Sequence, residues 1–133
     1  MSSSPRPTGR RPLTERQRLG EQAEQLAAQV LEQAGFVILE RNYRCRGGEL
    51  DLVARRGAVL VIAEVRLRSS DAFGGAAASI TAAKRRRILH AARHLLLWRP
   101  QLAALSVRFD ALLARSAAGP IEWIEAAFRA DGS

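Results

Sequence analysis

The apolar positions change period along the chain, and each change marks an element. Ala23, Leu26, Ala27, Val30, Leu31 and Ala34 recur at intervals of three and four, which at about 100° per residue places them on one face of a helix. Thr14 and Gln17 are spaced as a capping box at its start, and Gly35 marks its stop. Residues 36–39 form a short apolar run, read as a buried strand, and 42–48 a polar, glycine-containing connection. Residues 49–54 alternate, with Leu50, Leu52 and Ala54 on one side and Glu49, Asp51 and Val53 on the other. A turn at 55–58 leads into the strongest strand, Val59–Leu67, with Glu64, Arg66 and Arg68 on one parity. After a glycine-rich loop at 69–75, a second helix is expected from about Thr81 to Trp98, stopping before Pro100. Its inner stripe is Ile88, Ala91, Ala92, Leu95, Leu96 and Trp98. Strands near 105–115 and 121–128 close the series around Ala118-Gly119-Pro120. The order αβββαββ predicts an α/β fold with a single mixed β-sheet flanked by helices.

Composition narrows this picture. The 133 residues fit one domain, expected over 13–129, between a disordered basic tail at 1–12 and a short disordered tail at 130–133. Cys45 is the single cysteine, so neither an internal disulfide nor a cysteine-rich zinc site is available. No apolar run approaches the roughly 20 residues that cross a bilayer, and no apolar stretch follows the arginines of the tail as a secretory signal requires. The chain therefore reads as cytoplasmic, with no membrane partner. Its net charge is +8, of which Arg6, Arg10 and Arg11 contribute three, and the excess favours a polyanionic partner. Of its 21 basic residues only Lys84 is lysine. That skew points to a compositional bias towards arginine, against which the one lysine stands out.

The acids supply the candidate chemistry. If 55–58 is the turn of a hairpin, Ala54 pairs with Val59, Asp51 lies opposite Ile62, and Glu49 lies opposite Glu64. Glu49, Asp51, Glu64 and Arg66 then share one face, provided the register holds. Opposed carboxylates destabilise a hairpin unless something positive sits among them. Hard oxygen donors without paired histidine or cysteine suit Mg²⁺ or Mn²⁺. The plainer alternative, acids on a solvated face paired with Arg66 and Arg68, fits the spacing equally well.

The run Gly48-Glu49-Leu50-Asp51-Leu52-Val53-Ala54, followed by Ala63-Glu64-Val65-Arg66-Leu67-Arg68, resembles the core motif of the YraN-type family. These are predicted endonucleases of the PD-(D/E)xK nuclease superfamily, similar to Holliday-junction resolvases. The resemblance extends from about Gly20 to Phe128, through Glu24, Gly35-Phe36, Glu40-Arg41-Asn42-Tyr43-Arg44, Lys84, Arg108-Phe109-Asp110 and Ala127-Phe128. It implies a restriction-endonuclease-like fold and metal-dependent phosphodiester hydrolysis, on duplex or branched DNA. By the same resemblance Asp51 and Glu64 are metal ligands, Glu24 is the helix acid that completes the site, and Glu49 stands behind them. A homodimer is compatible with it. One departure matters: the superfamily usually carries lysine two residues after the strand acid, and here that residue is Arg66. Arginine effectively cannot lose its proton, so Arg66 can hold a water or stabilise charge but cannot be a general base. Lys84, near the start of the inward stripe of the second helix, is the candidate to supply an amine. The alternative function is a catalytically impaired nuclease-fold module that only binds nucleic acid.

The remaining features carry less. Arg41, Arg44, Arg68 and the run Arg85-Arg86-Arg87 are candidate nucleic-acid contacts. His90 and His94 have the spacing of a zinc pair but point off the apolar stripe and read as a solvent-exposed pair. Cys45 lacks an evident His or Asn partner for a nucleophile's role. Aromatic residues are 5 % of the chain, too few for a single-strand stacking platform to be the main mode of recognition. Arg108 and Asp110, two apart on one strand, pair with each other or brace the sheet.

Overall fold

The computed structural model describes residues 12–67 and 80–133. Arg68, the loop expected at 69–75 and nearly all of the basic tail lie outside the described residues. The elements are α1 (Glu15–Gln33), β1 (Val37–Cys45), β2 (Gly48–Arg56), β3 (Val59–Leu67), α2 (Ala82–Trp98), a short 3₁₀ turn (Pro100–Ala104), β4 (Ser106–Ala114) and β5 (Ile121–Phe128). The order is αβββαββ as expected. The five strands form one mixed sheet in the order β1-β2-β3-β4-β5. Among the described residues only β3 and β4 run parallel, and α2 lies in the crossover that such a pair requires. No helix among the described residues is long and apolar enough to cross a membrane.

Local chemistry sets the helix ends. The Thr14 hydroxyl accepts the Gln17 N–H at 3.0 Å, and the Gln17 side-chain oxygen accepts the Thr14 N–H at 3.0 Å, which completes the capping box. At the other end Gly35 takes φ +93°, so that the Phe36 N–H reaches the Leu31 carbonyl and the Gly35 N–H reaches that of Glu32. Arg56 adds a bond to the Ala34 carbonyl at 2.7 Å and lies over the Phe36 ring. In α2 the Thr81 hydroxyl caps the Lys84 N–H at 3.1 Å, which fixes the backbone of Lys84 in the first turn.

The helices cover opposite faces of the sheet. Ala27, Ala28 and Leu31 of α1 pack with Leu52, Ala54, Val61, Ala63 and Leu112. Ile88, Ala91, Ala92 and Leu95 of α2 pack with Leu50, Val53, Leu60, Ile62, Ala111 and Leu113. The approach of α2 is tight because β2 begins with glycine. A Cβ on Gly48 would fall 2.2 Å from the Arg87 carbonyl oxygen, and backbone cannot give way as a side-chain tip can. Gly48→Ala is therefore expected to lose about 2 kcal/mol of stability, as overpacked sites do. A urea midpoint equal to wild type would show that α2 can back away.

Several expectations change. The strand after α1 is longer than 36–39: it runs to Cys45 and absorbs much of the segment read as a connection. It is also an edge strand rather than a buried one, with Val37 63 % exposed. The β2–β3 turn is two residues tighter, since Arg56 and not Ala54 pairs with Val59. Trp98, placed in the inner stripe of α2, is 72 % exposed. Residues 130–133, expected to trail free, turn back so that the Gly132 N–H meets the Arg129 carbonyl.

Candidate active site

The slip in the hairpin register is an even number of residues, so it does not by itself move side chains to the other face. What changes is which residues stand level. The β2–β3 ladder ends at Leu52 and Ala63, and the next residue on each strand is an acid, Asp51 and Glu64. Here the strands part, and β2 twists. Leu50 joins the α2-side cluster and Leu52 the α1-side cluster, although residues two apart on a regular strand point the same way. On the neighbouring strand Asn42 takes φ +52°, a region asparagine tolerates better than most. The clean alternation expected over 49–54 is broken at its acid.

Asp51 and Glu64 are 7 % and 3 % exposed. One Asp51 carboxylate oxygen accepts the Val65 N–H at 2.9 Å, a side-chain bond at the point where the β2–β3 pairing has run out. The two acids also share a hydrogen bond. Glu64 in turn meets the Lys84 ammonium at 3.0 Å, and α2 presents that lysine from its first turn, where the helix dipole favours a nearby anion. Burial, and then the Asp51 charge, push the Glu64 carboxyl up to about 8. Burial raises Asp51 as well, against the pull of the Val65 N–H and Lys84. Glu24, half-buried on α1, is pushed up to about 7, first by burial and then by the charge of Asp51, while a hydrogen bond with Asn42 works the other way. The charge of Glu49 raises both Glu24 and Asp51, and Glu49 lies 3.9 Å from the Arg44 guanidinium.

These shifts give a pH prediction. A carboxyl raised in the folded state holds its proton where the unfolded chain has lost it, so stability is greatest in acid and falls as pH rises. The fall from Glu64 runs between about 4.5 and 8, and that from Glu24 between about 4.5 and 7. Urea unfolding in EDTA should give a lower midpoint at pH 8 than at pH 5.5. Glu64→Gln should flatten most of that slope; an unchanged slope would place the strain elsewhere.

The structure brings together Asp51, Glu64 and Lys84, with Glu24 and Glu49 close enough for their charges to be felt. Among the described residues no group of three or more His, Cys, Asp or Glu is arranged to hold a metal ion. The side chains as placed offer a carboxylate pair rather than the three-acid cluster expected. That pair still suits Mg²⁺, which commonly takes one or two protein carboxylates and fills its other positions with water and phosphate.

Arg66 is half-buried and lines a groove with Arg16, Gly20, Val65 and Leu67. The cation on Glu64 is Lys84. Arg41, Arg44, Arg86 and Arg87 are exposed, whereas Arg85 donates to the Gly132 carbonyl at 3.2 Å and lies over the Phe128 ring. His90 and His94 are not a free pair, since His90 bonds the Arg46 carbonyl at 2.8 Å and His94 the Tyr43 hydroxyl, tying α2 to the β1–β2 hairpin. Arg108 and Asp110 do pair, and Asp110 is fully buried.

The model of the uncharacterised protein family UPF0102 matches residues 23–114, which spans both carboxylates and Lys84. The chain belongs to the UPF0102 family. It is 50 % identical over 113 residues to a UPF0102 protein of Methylobacillus flagellatus, covering 84 % of this chain and 97 % of that one. A UPF0102 protein of Dechloromonas aromatica is 52 % identical over 112 residues, with 84 % and 89 % covered. A third, UPF0102 protein NE0719 of Nitrosomonas europaea, is 51 % identical over 110 residues, with 82 % and 92 % covered. The UPF0102 match begins at Ala23, so Arg16 and Gly20 of the groove beside Arg66 fall before it. Neither Arg16 nor Asn42 belongs to the site expected from the sequence. An asparagine between two strand-forming runs was the available signal for the latter.

Proposed function

We propose that this chain is a divalent-cation-dependent endonuclease-like protein acting on nucleic acid, DNA in the first instance. The observation that carries the reading is the buried Asp51–Glu64 pair at the parting of β2 and β3, with one ammonium beside it. Two adjacent carboxyls pushed upward by burial, Glu64 further by the charge of Asp51, favour a cation between them. Asp51 and Glu64 would hold Mg²⁺ or Mn²⁺, which when bound lowers the pKa of a water and neutralises charge on phosphate. Glu24 assists from α1, and Glu49 supports from behind. Lys84 keeps Glu64 oriented and offers a donor to the attacking water or the leaving oxygen. Arg66 stabilises phosphate charge without taking a proton. Arg41, Arg44, Arg86 and Arg87 are the exposed cations available to a phosphate backbone, and Arg68 follows β3 in sequence.

The test is incubation with plasmid, branched DNA and structured RNA, with and without Mg²⁺ or Mn²⁺. Cation-dependent cutting supports the enzyme. The presence of Arg66 where a lysine is usual favours a second reading, a module that binds nucleic acid without turnover. Salt-sensitive binding with no cutting under any cation would select it.

A further inference from the structure

At the far end of α2 from Lys84, two large apolar side chains stand in solvent, Leu97 at 81 % and Trp98 at 72 % exposure. Trp98 does not stand alone. Its ring centroid is 6.3 Å from that of His94, which is 5.8 Å from that of Tyr43. The Tyr43 hydroxyl and His94 Nδ1 share a hydrogen bond, which locks those two rings together. The three rings and Leu95 line a groove flanked by Arg44 and Arg99. Glu40 holds Arg99 at 3.2 Å, while Arg44 is mostly exposed and only loosely paired with Glu49.

A ring-lined groove with guanidinium groups on its rim matches one ligand chemistry well: a flat heterocycle carried on an anionic backbone. A second copy of this chain fits it poorly, because a two-fold contact through Trp98 would bring Arg44 and Arg99 towards their own counterparts. We propose that the groove seats an unpaired DNA base, stacked on Trp98, with neighbouring phosphates held by Arg44 and Arg99. The inference rests on the nucleic-acid reading above and specifies the substrate. Lys84 and Trp98 are fourteen residues apart on α2, roughly 21 Å at the helical rise, or about six base-pair steps. The substrate class is DNA with unpaired bases some way from the bond addressed by the carboxylates. The scarcity of aromatics noted in the sequence argues against a continuous platform, and this is a single seat.

The experiment is binding of a short fluorescein-labelled oligo(dT) at low salt, read by anisotropy and by tryptophan emission. Wild type should bind in a salt-sensitive way with quenching of tryptophan emission, and a blunt duplex should bind without that quenching. Trp98→Ala should bind the single strand about tenfold more weakly. Trp98→Phe should bind nearly as wild type but without most of the quenching. Equal binding by wild type and Trp98→Ala overturns the seat and leaves the nucleic-acid reading standing. Absence of any binding to DNA sinks both. A wild type that sediments as a dimer, with Trp98→Ala a monomer, would give the surface to a second copy instead.

Discussion

Asp51→Asn protein is expected to fold as wild type does and to cut DNA about a thousandfold more slowly in Mg²⁺, a loss of about 4 kcal/mol in barrier lowering. The separation of the two effects follows from what Asp51 touches. Its bond to the Val65 N–H needs only an acceptor oxygen, and the asparagine carbonyl supplies one. Its proposed part in holding a cation needs the negative charge, which asparagine lacks. The buried Glu64 beside it is strained by that same charge, so the neutral variant should match or exceed the wild-type urea midpoint at pH 8. Asp51→Ala, which loses the acceptor as well, should be the less stable of the two. Plasmid nicking and urea unfolding on the same preparations decide the matter. Unimpaired cutting by Asp51→Asn would remove this carboxylate from the chemistry.

Asp110→Ala is expected to lose roughly 3–5 kcal/mol of stability, in the range seen when one partner of a buried ion pair is deleted. Asp110 has no solvent exposure, yet four donors converge on it. Arg108 contributes two bonds at 2.9 Å, the Trp123 indole N–H one at 2.8 Å, and the Ala126 N–H one at 3.0 Å. The last matters most for the fold. The β4–β5 register shifts between Phe109 and Ala111, and Ala126 takes φ +51° in the extra length of β5. The carboxylate thus satisfies an amide in an irregular stretch of the ladder. Without it, the indole and the amide lose their acceptor, and Arg108 keeps only the Glu125 carboxylate at 3.4 Å. Marginal domains have only about 5–15 kcal/mol to lose, so thermal unfolding should shift by many degrees. Asp110→Asn should fall between, since its amide nitrogen would face Arg108. A near-wild-type melting temperature for Asp110→Ala would mean the bulge finds another acceptor.

Much of this architecture was readable from pattern because the pattern obeys local rules. The Thr14 and Gln17 cap, the Gly35 stop and the apolar stretch of β3 are signals carried within a few residues, and β3 runs Val59–Leu67 as read. Strand parity survives an even slip in register, but the reversal between Leu50 and Leu52 breaks the single face expected for Glu49, Asp51, Glu64 and Arg66. What could not be read depends on neighbours distant in sequence. β1 has no strong alternation of its own and is a strand because β2 pairs with it along nearly its whole length, with a bulge at Leu39. Trp98 matched the helical stripe, but Arg99 already leaves helical geometry and the indole stands exposed beside His94 while Leu95 of the same turn is buried. The proximity of Lys84 to Glu64 is a tertiary contact, hinted at by the rarity of lysine in the chain and by its place near the start of the inward stripe of α2. The pairing of Arg44 with Glu49, and of Arg85 with the C-terminal turn, had no sequence signal at all.

The parting of β2 and β3 makes the spacing of the two carboxylates adjustable. Beyond Ala63, β4 is the strand partner of β3, whereas Asp51 rides with β1 and β2. The backbone link across that fork at this point is the Val65 amide on the Asp51 side chain. The mouth between the acids is therefore governed by a side-chain length rather than by a rigid lattice of peptide bonds. Under the proposed function, such a hinge of one residue would yield by fractions of an ångström to ions of different radius while the sheet behind it stays closed.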